Sequence, residues 1–131
     1  MSEEREYAIV EPDGRIILPP ILMEKYVLAT PGCSIWFNAN DEALGLRLLR
    51  GVDSPPYLIE RRPAQSGRVE GVLEAGLFFK KVGFVLGKEK REYPARYFSQ
   101  FRMLALMVGK DFQIAEHDSK GFLDTFPPLD D

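Results

Sequence analysis

The chain opens with two short apolar runs separated by turn residues. The runs, Tyr7–Val10 and Arg15–Leu18, flank the sequence Pro12-Asp13-Gly14. An Asp-Gly pair between β-prone runs is typical of a hairpin, because glycine readily adopts the positive φ that a tight turn requires. The pattern therefore predicts two antiparallel strands joined by a short turn.

The apolar pattern changes after the second run. Pro19-Pro20 stops the strand, and an apolar segment over 21–28 follows. Proline cannot donate a hydrogen bond to a sheet but is tolerated in the first turn of a helix, so this segment is predicted to be a short helix. Pro31-Gly32 then breaks the chain, and a new β-prone run begins at Cys33. Residues 7–50 are thus predicted to form strand, turn, strand, helix, turn, strand, turn, strand.

These residues resemble the swapped-hairpin AbrB/MazE/SpoVT superfamily over about 45 of the 131 residues. The resemblance is carried by the run from Asp13-Gly14-Arg15 to Pro19, by the apolar helix, and by Pro31-Gly32. In that family an aspartate-glycine-arginine hairpin leads into a strand that ends in proline. A helix, a proline-glycine turn and a second hairpin follow. The resemblance implies a β-barrel of interleaved hairpins that binds DNA.

A second, divergent copy of this pattern is predicted in the C-terminal half. Aligning Pro94 with Pro19, an offset of 75 residues, places Lys88-Glu89-Lys90 on the hairpin turn and Phe84-Val85 on the first strand. The apolar residues of the following segment recur with helical spacing and predict a helix that ends at Gly109. They are Tyr97, Phe98, Phe101, Leu104, Ala105 and Val108.

One such motif is too small to bury its own apolar face. We therefore expect a β-rich α+β protein, a swapped-hairpin β-barrel whose two motifs are fused in one chain as a pseudo-dimer. The expected segments are the first motif at 1–50, a linker at 51–76 with extra strands near 57–60 and 68–73, the second motif at 77–126, and a tail at 127–131. The alternative is pairing between chains, as a homodimer or higher oligomer.

Composition narrows the class of protein. A chain of 131 residues with 45% hydrophobic content suits one compact domain. Its apolar runs are all shorter than the roughly 20 residues needed to span a bilayer, and its acidic N-terminus does not resemble a secretory signal. The single cysteine, Cys33, excludes an intramolecular disulfide. We expect a cytoplasmic protein with no membrane association.

Charge is distributed unevenly along the chain, which has a net charge of −3. Residues 1–60 contain ten acidic and five basic side chains, whereas residues 61–131 contain ten acidic and twelve basic ones. Seven of the basic side chains lie within 80–102. An anionic partner is therefore expected to meet the second half of the chain.

The resemblance assigns DNA contacts to basic residues on the hairpins and at the start of the helices. The positions that match are Arg15, Lys88, Lys90, Arg91 and Arg96. Contacts of this kind to phosphates supply affinity that falls with salt, while reading of a base sequence requires contacts to base edges. The first helix carries only Lys25, which weakens the case for DNA contact by the first copy.

Candidate catalytic groups are few. Cys33 and His117 are the only residues of their types, and the alignment places them near corresponding strands of different copies. Cys33 is expected to pack as a small apolar residue and His117 to lie at the end of a hairpin. The sequence has no spacing of cysteine and histidine typical of a metal site and no phosphate-binding glycine loop. We expect no enzyme activity, no cofactor and no metal.

The sequence thus predicts a DNA-binding transcriptional regulator of the AbrB/MazE type, with double-stranded DNA as its partner. The alternative is a protein-interaction module, antitoxin-like or an assembly partner, on the same scaffold without DNA binding. If the five basic residues share one face, DNA binding is favoured. If they scatter and an apolar patch is exposed, a protein partner is favoured.

Overall fold

The structure, a computed structural model, describes residues 4–38, 40–50, 54–83 and 86–109. These residues form β1 Tyr7–Val10, β2 Arg15–Leu18, β3 Gly32–Asn38, β4 Ala43–Leu49, β5 Tyr57–Leu58, β6 Glu60–Pro63, β7 Val69–Glu74, β8 Arg91–Phe98 and β9 Met103–Met107. The helical segments are α1 Pro20–Leu22, a π-helical turn Met23–Val27 that continues it, α2 Gly76–Val82, and a 3-10 turn Ser99–Phe101. The predicted β-rich class is confirmed.

All strand pairs are antiparallel, and the order across the sheet is β5-β3-β4-β9-β8-β1-β2-β7-β6. The long strand β8 joins the two halves of the sheet. Its first four residues, 91–94, pair with β1, and its last four, 95–98, pair with β9. The nine strands curl into a nearly closed barrel, in which β5 lies against β7.

The core fills the inside of this barrel. Alternate residues of each strand point inward, as the period of two in a β-strand requires. Inward-facing side chains on the central strands are almost fully buried. They include Ile16 and Leu18 on β2, Leu44, Leu46 and Leu48 on β4, and Leu104 and Leu106 on β9. Met23 and Val27 of the π-helical turn are buried in the same cluster, so the helical segment closes one opening of the barrel.

The two edge strands of the sheet are consecutive in the chain. Between β5 and β6, the buried Ile59 donates its backbone N–H to the carbonyl oxygen of Pro31 at 2.9 Å. The guanidinium of Arg61 then bonds three backbone carbonyls, those of Ile59 at 3.1 Å and of Leu28 and Thr30 at 2.8 Å each. The short stretch 57–63 therefore bridges the gap between the two edges.

The elements predicted for the first motif are present. The first two strands have the predicted limits, and the helix, the third strand and the fourth strand follow in the predicted order. The extra strands expected near 57–60 and 68–73 are also confirmed, as β5, β6 and β7.

The helix predicted before Gly109 is wrong. Residues 91–98 and 103–107 are instead the strands β8 and β9, joined by the 3-10 turn and by Arg102 in a left-handed conformation with φ 48°. The apolar residues with helical spacing are instead distributed over the two strands, the 3-10 turn and the residue after β9. Both faces of β9 are buried, and periodicity alone does not separate such a strand from a helix.

The alignment with Pro19 predicted that a strand ends at Pro94. This prediction is also wrong. Pro94 pairs with Tyr7 in the middle of β8. The neighbouring Ala95 donates its N–H to Glu6 on the β1 side at 3.0 Å, so the donor that Pro94 lacks would face β9. Pairing with β9 begins only at Ala95, and the missing donor therefore costs no hydrogen bond of the ladder. The predicted strand around Phe84-Val85 and the elements predicted beyond Gly109 lie outside the described residues.

Candidate nucleic-acid interface

One end of the barrel collects most of the basic residues singled out in the sequence. Val10, the last residue of β1, pairs with both Ile16 and Arg91, and Arg15 at the start of β2 pairs with Glu74 at the end of β7. The β1–β2 turn, the start of α2 and the loop before β8 therefore meet at this end. We call this region, residues 11–15, 75–83 and 86–91, the basic end.

The β1–β2 turn is fixed by its own backbone. Glu11 donates its N–H to the carbonyl of Arg15 at 2.8 Å, and Gly14 donates to the carbonyl of Glu11 at 2.9 Å. Gly14 has φ +95°, which residues with a side chain rarely adopt. The Asp13 carboxylate accepts the N–H of Arg15 at 3.0 Å and so closes the turn from within.

Helix α2 packs directly behind this turn. Ala75 donates its N–H to the carbonyl of Gly14 at 3.1 Å, and a Cβ placed on Gly14 would lie only 2.5 Å from the Cα of Gly76. Phe78 and Phe79 anchor the helix by being buried in the core. The helix ends at Gly83, which has φ 80° and satisfies the last carbonyl groups.

The outer side of α2 adds two lysines that no sequence motif assigns to the site. Lys80 and Lys81 are exposed in the last turn of the helix, where positive charge is favourable next to the carbonyl ends. Leu77 is 69% exposed in the first turn. The concentration of basic residues within 80–102 was the sequence signal for the two lysines, but no motif distinguished them.

Arg15 is exposed, but its positive charge is already compensated by nearby carboxylates. Its Nε lies 2.8 Å from a carboxylate oxygen of Glu74, and its Nη1 lies 3.5 Å from the Asp13 carboxylate. These partners, the hydrogen bond to Glu74 first, raise the pKa of the Arg15 guanidinium above its ordinary value. Arg15 therefore shapes the basic end more than it adds net positive charge to it.

The loop before β8 supplies charge that is not compensated in this way. Lys88 and Lys90 are exposed, and within the described ranges neither forms an ion pair. Arg91 is exposed at the first position of β8, with its guanidinium folded back toward Gly87. Together with Lys80 and Lys81, the loop gives the basic end four lysines without a carboxylate partner among the described residues.

Arg96 lies apart from the other four predicted residues. It is five positions further along β8, or about 16 Å at the rise of a strand, on the outer face of the sheet opposite Ala105. Its guanidinium lies over the ring of Phe98, 5.6 Å from the centroid. The structure thus brings together Arg15, Lys88, Lys90 and Arg91 and places Arg96 on a different surface.

The described residues show little that resembles a catalytic or metal site. Cys33 is fully buried, and burial raises the pKa of its thiol to about 12, so the thiolate that acts as a nucleophile is scarce at neutral pH. Among the described residues, no group of three or more histidine, cysteine, aspartate or glutamate side chains is arranged to hold a metal ion. His117 lies outside the described residues.

None of the helices in the described ranges is both long enough and apolar enough to cross a bilayer.

Comparison with protein-family models, with curated proteins and with solved structures gave no match. The functional proposal therefore rests on the residues of this chain.

Proposed function

We propose that this protein is a DNA-binding regulator of the AbrB/MazE type that holds the phosphate backbone of duplex DNA with the basic end of its barrel. The observation that carries the proposal is that three basic segments converge at one end of the barrel: the β1–β2 turn with Arg15, the lysine-bearing helix α2, whose start packs on that turn, and the loop with Lys88, Lys90 and Arg91. The four lysines of this region have no carboxylate partner among the described residues, and a cluster of uncompensated positive charge is the electrostatic pattern of a phosphate-binding surface.

The proposal includes a swapped-hairpin scaffold for residues 7–49, with the two halves of one chain paired as a pseudo-dimer. Its support is the way in which the halves interleave. Strand β1 of the first half pairs with β8 of the second, and β4 pairs with β9. The β1–β2 hairpin, which carries the aspartate-glycine-arginine sequence, lies at the surface proposed to meet DNA.

The number of lysines sets the expected strength of the salt effect. Each phosphate contact contributes a slope of about −0.9 to a plot of log affinity against log salt concentration, so four contacts give about −3.6. Raising the salt from about 50 to 200 mM would then weaken binding roughly 150-fold. Arg15 is expected to contribute less than the lysines because Glu74 and Asp13 already neutralise it.

The experiment is a titration of fluorescent random-sequence duplex DNA with the full chain at several salt concentrations. The test variant is Lys88→Glu/Lys90→Glu. The control is Arg50→Glu/Arg96→Glu, which changes the net charge by the same amount at exposed residues away from the basic end. The proposal expects salt-sensitive binding that the test variant loses and the control largely keeps. Equal losses in both variants, or no binding by the wild type at low salt, would refute it.

The second candidate function is binding of a protein partner on the same scaffold. The specific observation in its favour is Leu77, a large apolar side chain that is 69% exposed on the same short helix as Lys80 and Lys81. An exposed apolar residue beside basic ones suits an acidic protein surface. If DNA binding fails, a Leu77→Ser variant compared with the wild type in capture of acidic partners is the measurement that separates this function.

A further inference from the structure

The outer face of the sheet carries a cavity on the strands β4, β9 and β8. Its volume is about 340 Å³, at the small end of the range for ligand pockets. Among the described residues, its floor is formed by Ala43, Met103 and Ala105, and its apolar walls by Phe98, Phe101 and Met107. This surface lies on the other side of the sheet from the core and away from the basic end.

The side chains explain why a hollow forms here. Ala105 pairs with Gly45, so these two positions put almost no side-chain bulk on the middle of the outer face, while Arg96, on the other side of Ala105, lies at the rim. The larger Phe98, Phe101 and Met107 surround these positions. Small residues between large ones leave a depression in the sheet surface.

The apolar character of this outer face is unusual for a strand. An antiparallel strand with one face on the core normally alternates apolar and polar residues. In β9 the outward-facing Met103 and Ala105 are only 2% and 3% exposed, like the inward-facing leucines. The floor of the cavity is therefore as apolar as the protein interior.

Two charges of opposite sign lie on the rim. Arg96 is exposed, stacks over Phe98, and forms no ion pair within the described ranges. Asp41 lies in the turn before β4, where its backbone N–H donates to the side chain of Asn38 at 3.1 Å. An anionic group would be attracted to the arginine and repelled by the aspartate. The rim therefore favours a ligand with a single acidic end and directs that end toward Arg96.

We propose that this cavity binds a small apolar carboxylic acid, with its carboxylate on Arg96 and its aromatic or branched body over Ala43 and Ala105. The guanidinium matches a carboxylate in shape and charge, and its stacking on Phe98 holds it at the rim. Flexible methionine side chains adapt readily to an apolar body of this size. This site is independent of DNA binding, because it uses none of the residues of the basic end.

The chain offers a direct readout, because it has four methionines and two of them line the cavity. We would label the methionine methyl groups of the full chain with carbon-13 and titrate it with 3-phenylpropionate, followed by NMR. Met103→Leu and Met107→Leu variants assign the signals. The expected result is saturable shifts of Met103 and Met107, with no shift of Met23, which is buried in the core.

Two comparisons test the role of the arginine. The neutral 3-phenylpropionamide should bind about tenfold more weakly than the acid, and Arg96→Gln should weaken acid binding by a similar factor. In the Arg96→Gln variant the acid and the amide should bind about equally. Arg50→Gln, which removes one positive charge at an exposed residue outside the cavity lining, is the control and should leave the affinity unchanged. A second variant, Ala105→Leu, should abolish binding by filling the floor. Absent shifts of Met103 and Met107, equal binding of acid and amide by the wild type, or unchanged affinity in Arg96→Gln would each overturn the proposal.

Discussion

The contact between the β1–β2 turn and α2 can be tested with a matched pair of glycine substitutions. The turn of residues 11–15 has a close counterpart in the turn of residues 64–68, which joins β6 to β7. There, Ala64 donates to the carbonyl of Arg68 at 2.8 Å and Gly67 donates to the carbonyl of Ala64 at 3.0 Å. Gly67 has φ +85°, close to the +95° of Gly14. The two glycines thus share their backbone role.

They differ in what surrounds them. A Cβ on Gly67 would meet nothing within 4 Å, whereas a Cβ on Gly14 would lie 2.5 Å from the Cα of Gly76. Gly67→Ala should therefore lower the free energy of unfolding only by the cost of placing a side chain at positive φ, about 1 kcal/mol. Gly14→Ala should lower the free energy of unfolding by the same amount and by a further ~2 kcal/mol, because the backbone must move to relieve the overlap of the new Cβ with Gly76. The expected difference between the variants is about 2 kcal/mol.

The assay is urea unfolding of both variants and the wild type, followed by circular dichroism. With a slope of about 2 kcal/mol per molar urea, the midpoint of Gly14→Ala should lie roughly 1 M below that of Gly67→Ala. Equal midpoints at equal slopes would refute the close approach of the turn to α2. The architecture of the basic end would then need revision, since this contact positions Arg15 relative to the lysines of α2.

Two further predictions concern titratable groups. The pKa values of the Glu6 and Glu24 carboxyls are held below 4.5, by hydrogen bonds from Lys25 and Tyr26 to Glu6 and from Arg68 to Glu24. The unfolded chain therefore binds more protons, and these pairs stabilise the fold above pH 4.5 and lose that effect as the pH falls below it. Glu24→Gln should unfold at lower urea than the wild type at pH 7, with a gap that closes in acid; a gap independent of pH would contradict this. The Cys33 thiol, with a pKa raised to about 12 by burial, should react with Ellman's reagent only as fast as the protein unfolds, and rapid reaction of the native protein would contradict its burial.

The first half of the fold was predictable because its signals are local. The turn glycine at Gly14, the proline pair after Leu18 and the break at Pro31-Gly32 each act within a few residues, and the observed strands begin and end at these points. The sequence did not indicate that residues 23–27 form a π-helical turn, in which Leu28 donates to the carbonyl of Met23 at 2.7 Å. A turn widened in this way depends on how Met23 and Val27 pack against the barrel.

The second half was harder to predict because its last strand, β9, is apolar on both faces. The outward positions of β9 form the floor of the cavity on the outer face, so their apolar residues break the alternation that would identify a strand. Pro94 was interpreted as a strand end, but its missing donor matters only on the side facing β9, and local sequence does not reveal which side that is.

The candidate site, like the fold, was predictable from the sequence only in part. The basic residues within 80–102 were identifiable from composition, but their separation into two surfaces depends on the path of β8. Arg91 is the first residue of β8, in the part of the strand that pairs with β1, whereas Arg96 lies in the part that pairs with β9. Their spacing of five residues also puts them on opposite faces of the sheet, which a helical interpretation of this segment does not predict.

The stretch 57–63 has a consequence for how the molecule would fail. It contains both edge strands of the sheet, so one cut between Leu58 and Glu60 would release two unpaired edges at opposite ends of the nine-strand order. Each edge is a template for pairing with another chain. Because the two edges differ, nicked molecules would join head to tail, and contacts of that kind build rings or open filaments instead of closing as two-fold dimers. An intact stretch 57–63 therefore separates a barrel with bridged edges from a polymerising one.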